Sequence, residues 1–234
     1  MLEQNLLRPV VRTRLSDQAY EALRDSILRR ELLPGRRLDL DDLQQRLVVS
    51  RTPLKEAINR LATEGLITVV PRGGSYVTEL TPQGVAERFD ARQVLEIGAV
   101  DQIAANLTEE HVDHLRQLYT EWHSLITPDG AISDYFRFLD KDQEFHRSTV
   151  FVTGNHLLLE VYDGLNLNLQ MAIVFYPMQD RRLDEVDQEH RQILESLEAR
   201  DKRALKSAIR NHIQSSKRAL IAAIGAKDHN GANE

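Results

Sequence analysis

The chain has 234 residues and a formal net charge of −6, with 41% hydrophobic and 28% charged residues, the balance of one large or two modest globular domains. It contains no cysteine, which excludes disulfides and thiolate metal sites and fits a reducing cytoplasm. With Glu3 near its start and no apolar run approaching the roughly 20 residues of a bilayer span, neither a secretory leader nor a membrane segment is expected.

Residues 1–13 show no periodicity. Arg8, Arg12 and Arg14 can form a basic arm, although a frayed terminus is the plainer reading. A first helix is predicted over 16–32, with Tyr20, Leu23, Ile27 and Leu28 facing inward, and Pro34-Gly35 ends it. Residues 38–47 read as a short helix, and Val48-Val49-Ser50 as a tight connection into the next one. In that next helix Leu54, Ala57, Ile58, Leu61 and Ala62 form an apolar stripe, while Arg51, Lys55 and Asn59 recur on a different face. Ser50 or Thr52 can cap its start, Pro53 suits a first turn, and Gly65 suits a left-handed end. Two β-rich runs, 66–70 and 75–78, flank the turn Pro71-Arg72-Gly73-Gly74. Two short helices on a tight turn, followed by a hairpin with arginine at its tip, form a winged helix-turn-helix. Alone, the cationic helix face would read as an ordinary solvated surface. With the turn and the wing beside it, Arg51 and Lys55 become groups for phosphates and base edges. Residues 1–80 hold 13 Lys and Arg against 11 Asp and Glu, and the rest of the chain 17 against 25. The DNA reading therefore rests on the motif and not on bulk charge.

The predicted boundary is Glu79–Pro82. Beyond it the β signal stops, and helices are predicted over 82–106, 108–126, 133–152, 154–176, 180–200 and 202–224, with Thr81, Thr108 and Ser133 as caps. Short connections make neighbouring helices antiparallel. Residues 225–234 read as frayed. The expected fold is mainly α: an N-terminal winged helix-turn-helix domain over 10–80 and a C-terminal all-α six-helix bundle over 83–224.

Three of these helices carry His or Asp where an apolar residue belongs. The stripe Tyr135, Leu139, Asp142, His146, Val150 places Asp142 and His146 one turn apart. His190 interrupts Val186, Ile193, Leu194 and Leu197, and His212 interrupts Leu205, Ile209, Ile213 and Leu220. One buried histidine is ordinarily a hydrogen-bonded core residue. Four such groups on interior stripes need something bound to them. Three imidazoles and a carboxylate suit a divalent metal: zinc or nickel first, with manganese or iron as alternatives. His111, His114, His123, His156 and His229 read as surface or tail residues. In the opening bundle helix Arg92 and Glu96 interrupt Val85, Phe89, Ala99 and Ile103. The pair is either an intrahelical salt bridge or, through Arg92, a holder for an anionic effector.

The stretch VSRTPLKEAINRLATEGLITVVPRGGSYV resembles the winged helix-turn-helix of the GntR family of bacterial transcription regulators, over roughly 10–80. In the FadR-like branch the Arg and Thr of the SRT element, the basic residue four after that Arg, and the wing-tip glycine region contact the operator. By position these are Arg51, Thr52, Lys55, Arg72 and Gly73. Asp41 stands where the branch's fatty-acid regulator has an operator-contacting Arg, so that contact is not implied. Lys55 stands where Arg is usual, which weakens any bidentate guanine contact. The DQEFH, EHRQILESL and NH elements are similar to the FCD effector domain, over roughly 83–220. In its metal-binding members an Asp and three His hold a divalent ion, at positions matching Asp142, His146, His190 and His212. Arg92 falls in a matching R..LE element. Six helices point to the shorter, VanR-like subgroup. The fatty-acid regulator lacks this metal set, so no acyl-CoA effector is implied. The resemblance implies a homodimer binding double-stranded operator DNA, usually as a repressor. The residues themselves lead to the expectation of a cytoplasmic regulator controlled by a small carboxylate or hydroxy-acid effector, since four protein ligands in an octahedral shell leave two positions for one bidentate acid. A direct metal sensor, and a metal-dependent hydrolase fused to a DNA-binding module, are the competing readings; no further interior residue offers itself as a general base for hydrolysis.

Overall fold

The structure is a computed structural model. It describes residues 14–176 and 182–231, apart from the side chains of residue 168 and of 227–231. Arg8, Arg12, the first residues of the expected 180–200 helix and the side chain of His229 lie outside the described residues. The chain divides into two compact units, Met1–Thr78 and Glu79–Glu234. The fold is mainly helical, as expected.

The first unit contains α1 (Leu15–Leu28), α2 (Leu40–Leu47), α3 (Arg51–Thr63), β1 (Ile67–Val70) and β2 (Gly74–Val77). α1 packs on α3, and Tyr20, Leu23 and Ile27 of the first and Leu54, Ala57, Ile58 and Leu61 of the second are all buried. α1 stops at Leu28 and not at Leu32. Arg30 turns left-handed (φ 63°), and the Glu31 and Leu32 amides fold back onto the Ser26 carbonyl. β1 and β2 pair antiparallel, Ile67 opposite Val77 and Val70 opposite Gly74. On the other edge of β2 the Leu38 amide donates to the Ser75 carbonyl (2.8 Å) and the Val77 amide to the Arg36 carbonyl (2.9 Å). This pairing moves the start of α2 from Leu38 to Leu40. Asp39 then caps α2, accepting from the Asp41 and Asp42 amides. Ser50 occupies the cap position of α3 without a side-chain hydrogen bond, and Gly65 turns left-handed after it (φ 80°).

The helix-turn-helix bend has one feature that composition hides. Val48 sits left-handed (φ 53°) and is 85% exposed. That conformation costs a non-glycine residue about 1–2 kcal/mol, and a β-branched one more readily than most. The exposed side chain returns almost no burial. Val48→Gly is therefore expected to raise the unit's stability by about 1 kcal/mol after the entropy cost of glycine, read as a higher melting temperature. An unchanged or lower melting temperature would show that the turn is not strained.

The second unit contains six helices among the described residues: α4 (Pro82–Asn106), α5 (Glu109–His123), α6 (Tyr135–Phe151), α7 (His156–Phe175), α8 (Leu183–Glu198) and α9 (Lys202–Gly231). α4 packs on α9 and α7, α8 on α9 and α5, and α6 on α5 and α7. Phe89, Ile103, Leu115, Trp122, Phe145, Tyr162 and Leu169 fill the interior. Thr81 and Thr108 cap α4 and α5 as expected. At α6 the cap is Asp134 and not Ser133. Asp134 accepts from the Arg137 amide, and the Ser133 hydroxyl is spent on the Leu125 carbonyl. α5 ends at His123, because Ile126 is drawn into a bridge with Ile132. α9 continues past residue 224 to Gly231. No helix among the described residues is long and apolar enough to cross a membrane.

Candidate metal centre and DNA-reading face

In the second unit, α6 supplies Asp142 and His146, α8 supplies His190 and α9 supplies His212. The three histidines are buried, and one nitrogen of each lies within 4.8 Å of the others. Their ring centroids stand 4.6–4.9 Å apart. Trp122 stacks on His190 at 4.5 Å and closes one side of the cluster.

The tautomers are set from behind. His190 Nδ1 lies 2.8 Å from the Val186 carbonyl, which only accepts, so that nitrogen carries a proton and Nε2 is left on the side of Asp142. His212 Nδ1 faces the Glu189 carboxylate at 3.0 Å, which frees its Nε2 in the same way. Arg182 holds Glu189 through two hydrogen bonds of 3.0 and 3.1 Å. Such backing partners orient histidine ligands at metal sites. Buried His146 Nε2 and His190 Nε2 have no hydrogen-bond partner among the described residues. Asp142 Oδ1 approaches His190 Nε2 at 3.0 Å, off the direction of a hydrogen bond.

The charge states agree with that use. Burial lowers the His146 pKa well below the usual histidine value, and His212 and Arg92 push it the same way. Burial likewise takes His212 down to about 4, against the pull of Glu189. Burial raises Asp142, but His190, His212 and Arg92 outweigh it, and the carboxyl stays below its usual range. The Asp142 carboxylate is thus ionised and the His146 and His212 imidazoles are neutral, the protonation that metal ligands need. Asp142 alone keeps partial solvent access, its side chain 26% exposed.

Arg92 and Glu96 are both buried and joined through Arg92 Nε. Burial raises the Glu96 pKa, with Arg92 opposing. Arg92 Nη2 has no partner among the described residues, and neither does the hydroxyl of Tyr162, whose ring centroid lies 5.7 Å from the guanidinium carbon. Two unpartnered buried donors therefore sit beside the histidine cluster. Tyr162 was not singled out in the sequence, although Tyr162, Asn166 and Gln170 interrupt apolar α7 at four-residue spacing. Glu189 and Arg182 were missed as well, because their role depends on the approach of α9 to α8.

Among the described residues, His111, His114, His123 and His156 lie apart from the cluster. His111 completes the capping of α5, His123 pairs with Asp187 at 2.8 Å, His114 faces Ser148, and His156 is exposed.

In the first unit, Arg51, Thr52 and Lys55 are exposed on the opening turns of α3, opposite the stripe that meets α1. Arg72 is exposed at the wing tip in a left-handed conformation (φ 62°). At Gly73 a Cβ would lie 2.8 Å from the Val70 side chain, so the tight tip needs glycine there. Arg51, Arg72, Gly73, Gly74 and Asp41 line a single cleft of about 480 Å³, which Arg37 also borders. Arg60, by contrast, lies over the Tyr20 ring at 3.7 Å and pairs with Asp17 and Glu64.

A winged helix-turn-helix unit joined to a helical unit with a buried histidine cluster defines a two-domain DNA-binding transcription regulator. Residues 15–77 match the family of bacterial regulatory proteins, gntR family, and residues 87–215 match the FCD domain. The chain belongs to the GntR family, with a C-terminal FCD domain. It is 30% identical to the Nta operon transcriptional regulator of Aminobacter aminovorans over 181 residues, 77% of this chain and 82% of that protein. It is 27% identical to the probable D-xylose utilization operon transcriptional repressor of Paenarthrobacter nicotinovorans over 204 residues, 87% and 88% of the two chains. Among solved structures the fold is similar to E. coli McbR/YncC, with a TM-score of 0.75, 22% identity and coverage of 89% and 98%. These families and relatives are transcription regulators, not enzymes.

Proposed function

We propose that the chain is a repressor whose hold on double-stranded operator DNA is set by a small organic acid captured at a divalent metal in the helical domain. Residues 10–80 read the DNA; residues 83–224 sense the effector and dimerise. The observation that carries the reading is the pair of buried, unpartnered nitrogens, His146 Nε2 and His190 Nε2, beside His212 and the Asp142 carboxylate. Buried polar nitrogens without a partner are costly unless something binds them. The donor set suits zinc or nickel, with manganese or iron as alternatives.

Four protein ligands in an octahedral shell leave two positions, enough for one bidentate carboxylate or hydroxy acid. Arg92, with Nη2 unspent, supplies the second anchor for such an anion. The local charge agrees. A divalent ion and Arg92 against Asp142 and Glu96 leave one positive charge for the ligand to neutralise. The relative named as an operon repressor supports the sign of regulation. Val94 on α4 and Leu157 and Val161 on α7 are exposed apolar side chains on two helices that pack together, and they support a homodimer. Paired half-sites on DNA then require two correctly spaced recognition helices.

Arg92 lies on α4, the helix that follows the junction at Thr81-Pro82 in the chain. An effector that draws on Arg92 therefore acts on the segment leading into the DNA-binding domain. Coupling must be reciprocal: operator weakens effector binding by the factor by which effector weakens operator binding. Calorimetric titration of candidate acids should show binding to metal-loaded wild type, at least tenfold weaker binding to chelator-stripped protein and to Arg92→Ala, and weaker binding with operator present. Equal affinity with and without metal would rule out direct coordination. DNA affinity that follows metal alone would make the protein a metal sensor.

A further inference from the structure

We infer that Arg37, on the extended stretch edging the wing, grips a DNA backbone phosphate between the groove read by α3 and the groove entered by the wing. The inference rests on the reading of α3 and the wing as groove elements and adds a residue that the motif does not mark.

The start of α2 is closed to phosphate. Asp39, Asp41 and Asp42 stand at its cap and first turn, and Asp39 already fills the free amides of Asp41 and Asp42. A helix start attracts an anion only while its amides are free and its charge is positive. Asp41 also accepts from Gln44, so it is held where it is. If the domain sits on DNA, the phosphates facing this side need another cation.

Arg37 is placed to supply it. The backbone bonds of Arg36 and Leu38 to β2 fix its register, with Leu38 buried below and Arg37 exposed above. The Arg37 side chain runs along the wing to Gly74, where its Nε lies 3.2 Å from the place a Cβ would take. Gly74, at φ 117°, leaves that path open. The guanidinium makes no hydrogen bond or ion pair among the described residues, and the same holds for Arg51 and Arg72. All three line one cleft.

That cleft has the start of α3 on one side and the wing tip on the other. In a duplex the major and minor grooves are separated by a ridge of sugar and phosphate. A cleft whose walls enter the two grooves straddles that ridge, and a cation within it meets phosphate and not base edges. Arginine, with its flat fork of donors, suits the tetrahedral oxygens it finds there.

The test is fluorescence anisotropy of the full chain with a mixed-sequence duplex and with a duplex selected from a random pool for tight binding, across a salt series. One phosphate contact contributes about 0.9 to the slope of log K against log salt, about eightfold in affinity at 0.1 M. Arg37→Ala should weaken both duplexes by about that factor per bound chain and flatten both slopes. Arg37→Lys should keep most of the slope, and neither variant should change the melting temperature. Unchanged affinity and slope in Arg37→Ala would overturn the inference. So would a loss confined to the selected duplex, which would make Arg37 a base reader, or a loss accompanied by a lower melting temperature, which would make it a structural residue. Failure of Arg51→Ala to alter preference between the two duplexes would instead indict the placement of α3.

Discussion

Purified protein should carry close to one divalent metal per chain, and His146→Ala, His190→Ala and His212→Ala should each lower that occupancy and the melting temperature. The three nitrogens lie within 4.8 Å of one another, and His146 Nε2 and His190 Nε2 have no hydrogen-bond partner among the described residues, so on the proposed reading each lost ring removes a ligand and not only a packing contact. An ion that binds only the folded chain adds about 2.7 kcal/mol at one hundred times its dissociation constant. In a unit of this size that is about 5–10 °C of melting temperature. A truncated buried ring also leaves a cavity, so the variant alone does not isolate the metal. Chelation does. It should lower the melting temperature of wild type by several degrees and leave the variants almost unmoved. Full occupancy in all three variants would remove the site from the account.

The same site sets a pH dependence. His146 and His212 are held neutral in the fold, His212 with a pKa of about 4 against 6.5 for the free side chain. Their folded pKa values are depressed, so the unfolded chain takes up protons first as pH falls. The contribution to stability is complete above pH 6.5 and is lost on the way down towards 4. Metal release runs in the same direction, since protons compete for the same nitrogens. Elemental analysis after dialysis at stepped pH checks it: occupancy that rises as pH falls would contradict both.

What the sequence could tell differed between the two units for physical reasons. In α3 the apolar stripe and the cationic face separate at helical spacing, so both sides of the helix were visible at once. His146, His190 and His212 were visible as polar breaks in apolar stripes, because a buried imidazole is dear unless it is used. The stripe through α6 was only half right. Phe138 and Phe145 are buried with His146 and Val150, whereas Tyr135 and Leu139 lie at the margin. A helix in contact with both α5 and α7 buries a wider arc than one stripe describes. Glu189 behind His212 and Arg37 beside Gly74 were not legible at all. Each acquires its meaning from a neighbour distant in the chain, and neither breaks a local rule. The end of α1 was misplaced because Arg30 gives no sign of a left-handed conformation, which glycine would have announced.

Arg51→Ala is expected to produce the largest single loss in DNA recognition. Arg51 is the first residue of α3, exposed and free of any partner among the described residues, while Leu54, Ala57, Ile58 and Leu61 pin the helix to α1. A guanidinium at the start of a recognition helix reaches base edges in the major groove, where a bidentate contact to guanine is worth about 1–3 kcal/mol of discrimination. Its removal should cost a factor of about 5–150 per half-site in affinity for the preferred duplex and much less for a mixed-sequence one. Lys55 on the next turn offers a point charge and not a fork, so Lys55→Ala should weaken both duplexes more evenly. Arg72→Ala at the wing should behave like Lys55→Ala. Because the Arg51 side chain buries nothing and bonds to nothing in the unit, the melting temperature should not move. Gel-shift titrations at one fixed salt concentration decide the matter. If Arg51→Ala binds the preferred duplex as tightly as wild type with an unchanged melting temperature, α3 does not read the operator. The reading would then have to pass to another element of the same unit, and the Arg72→Ala result would say whether the wing carries it.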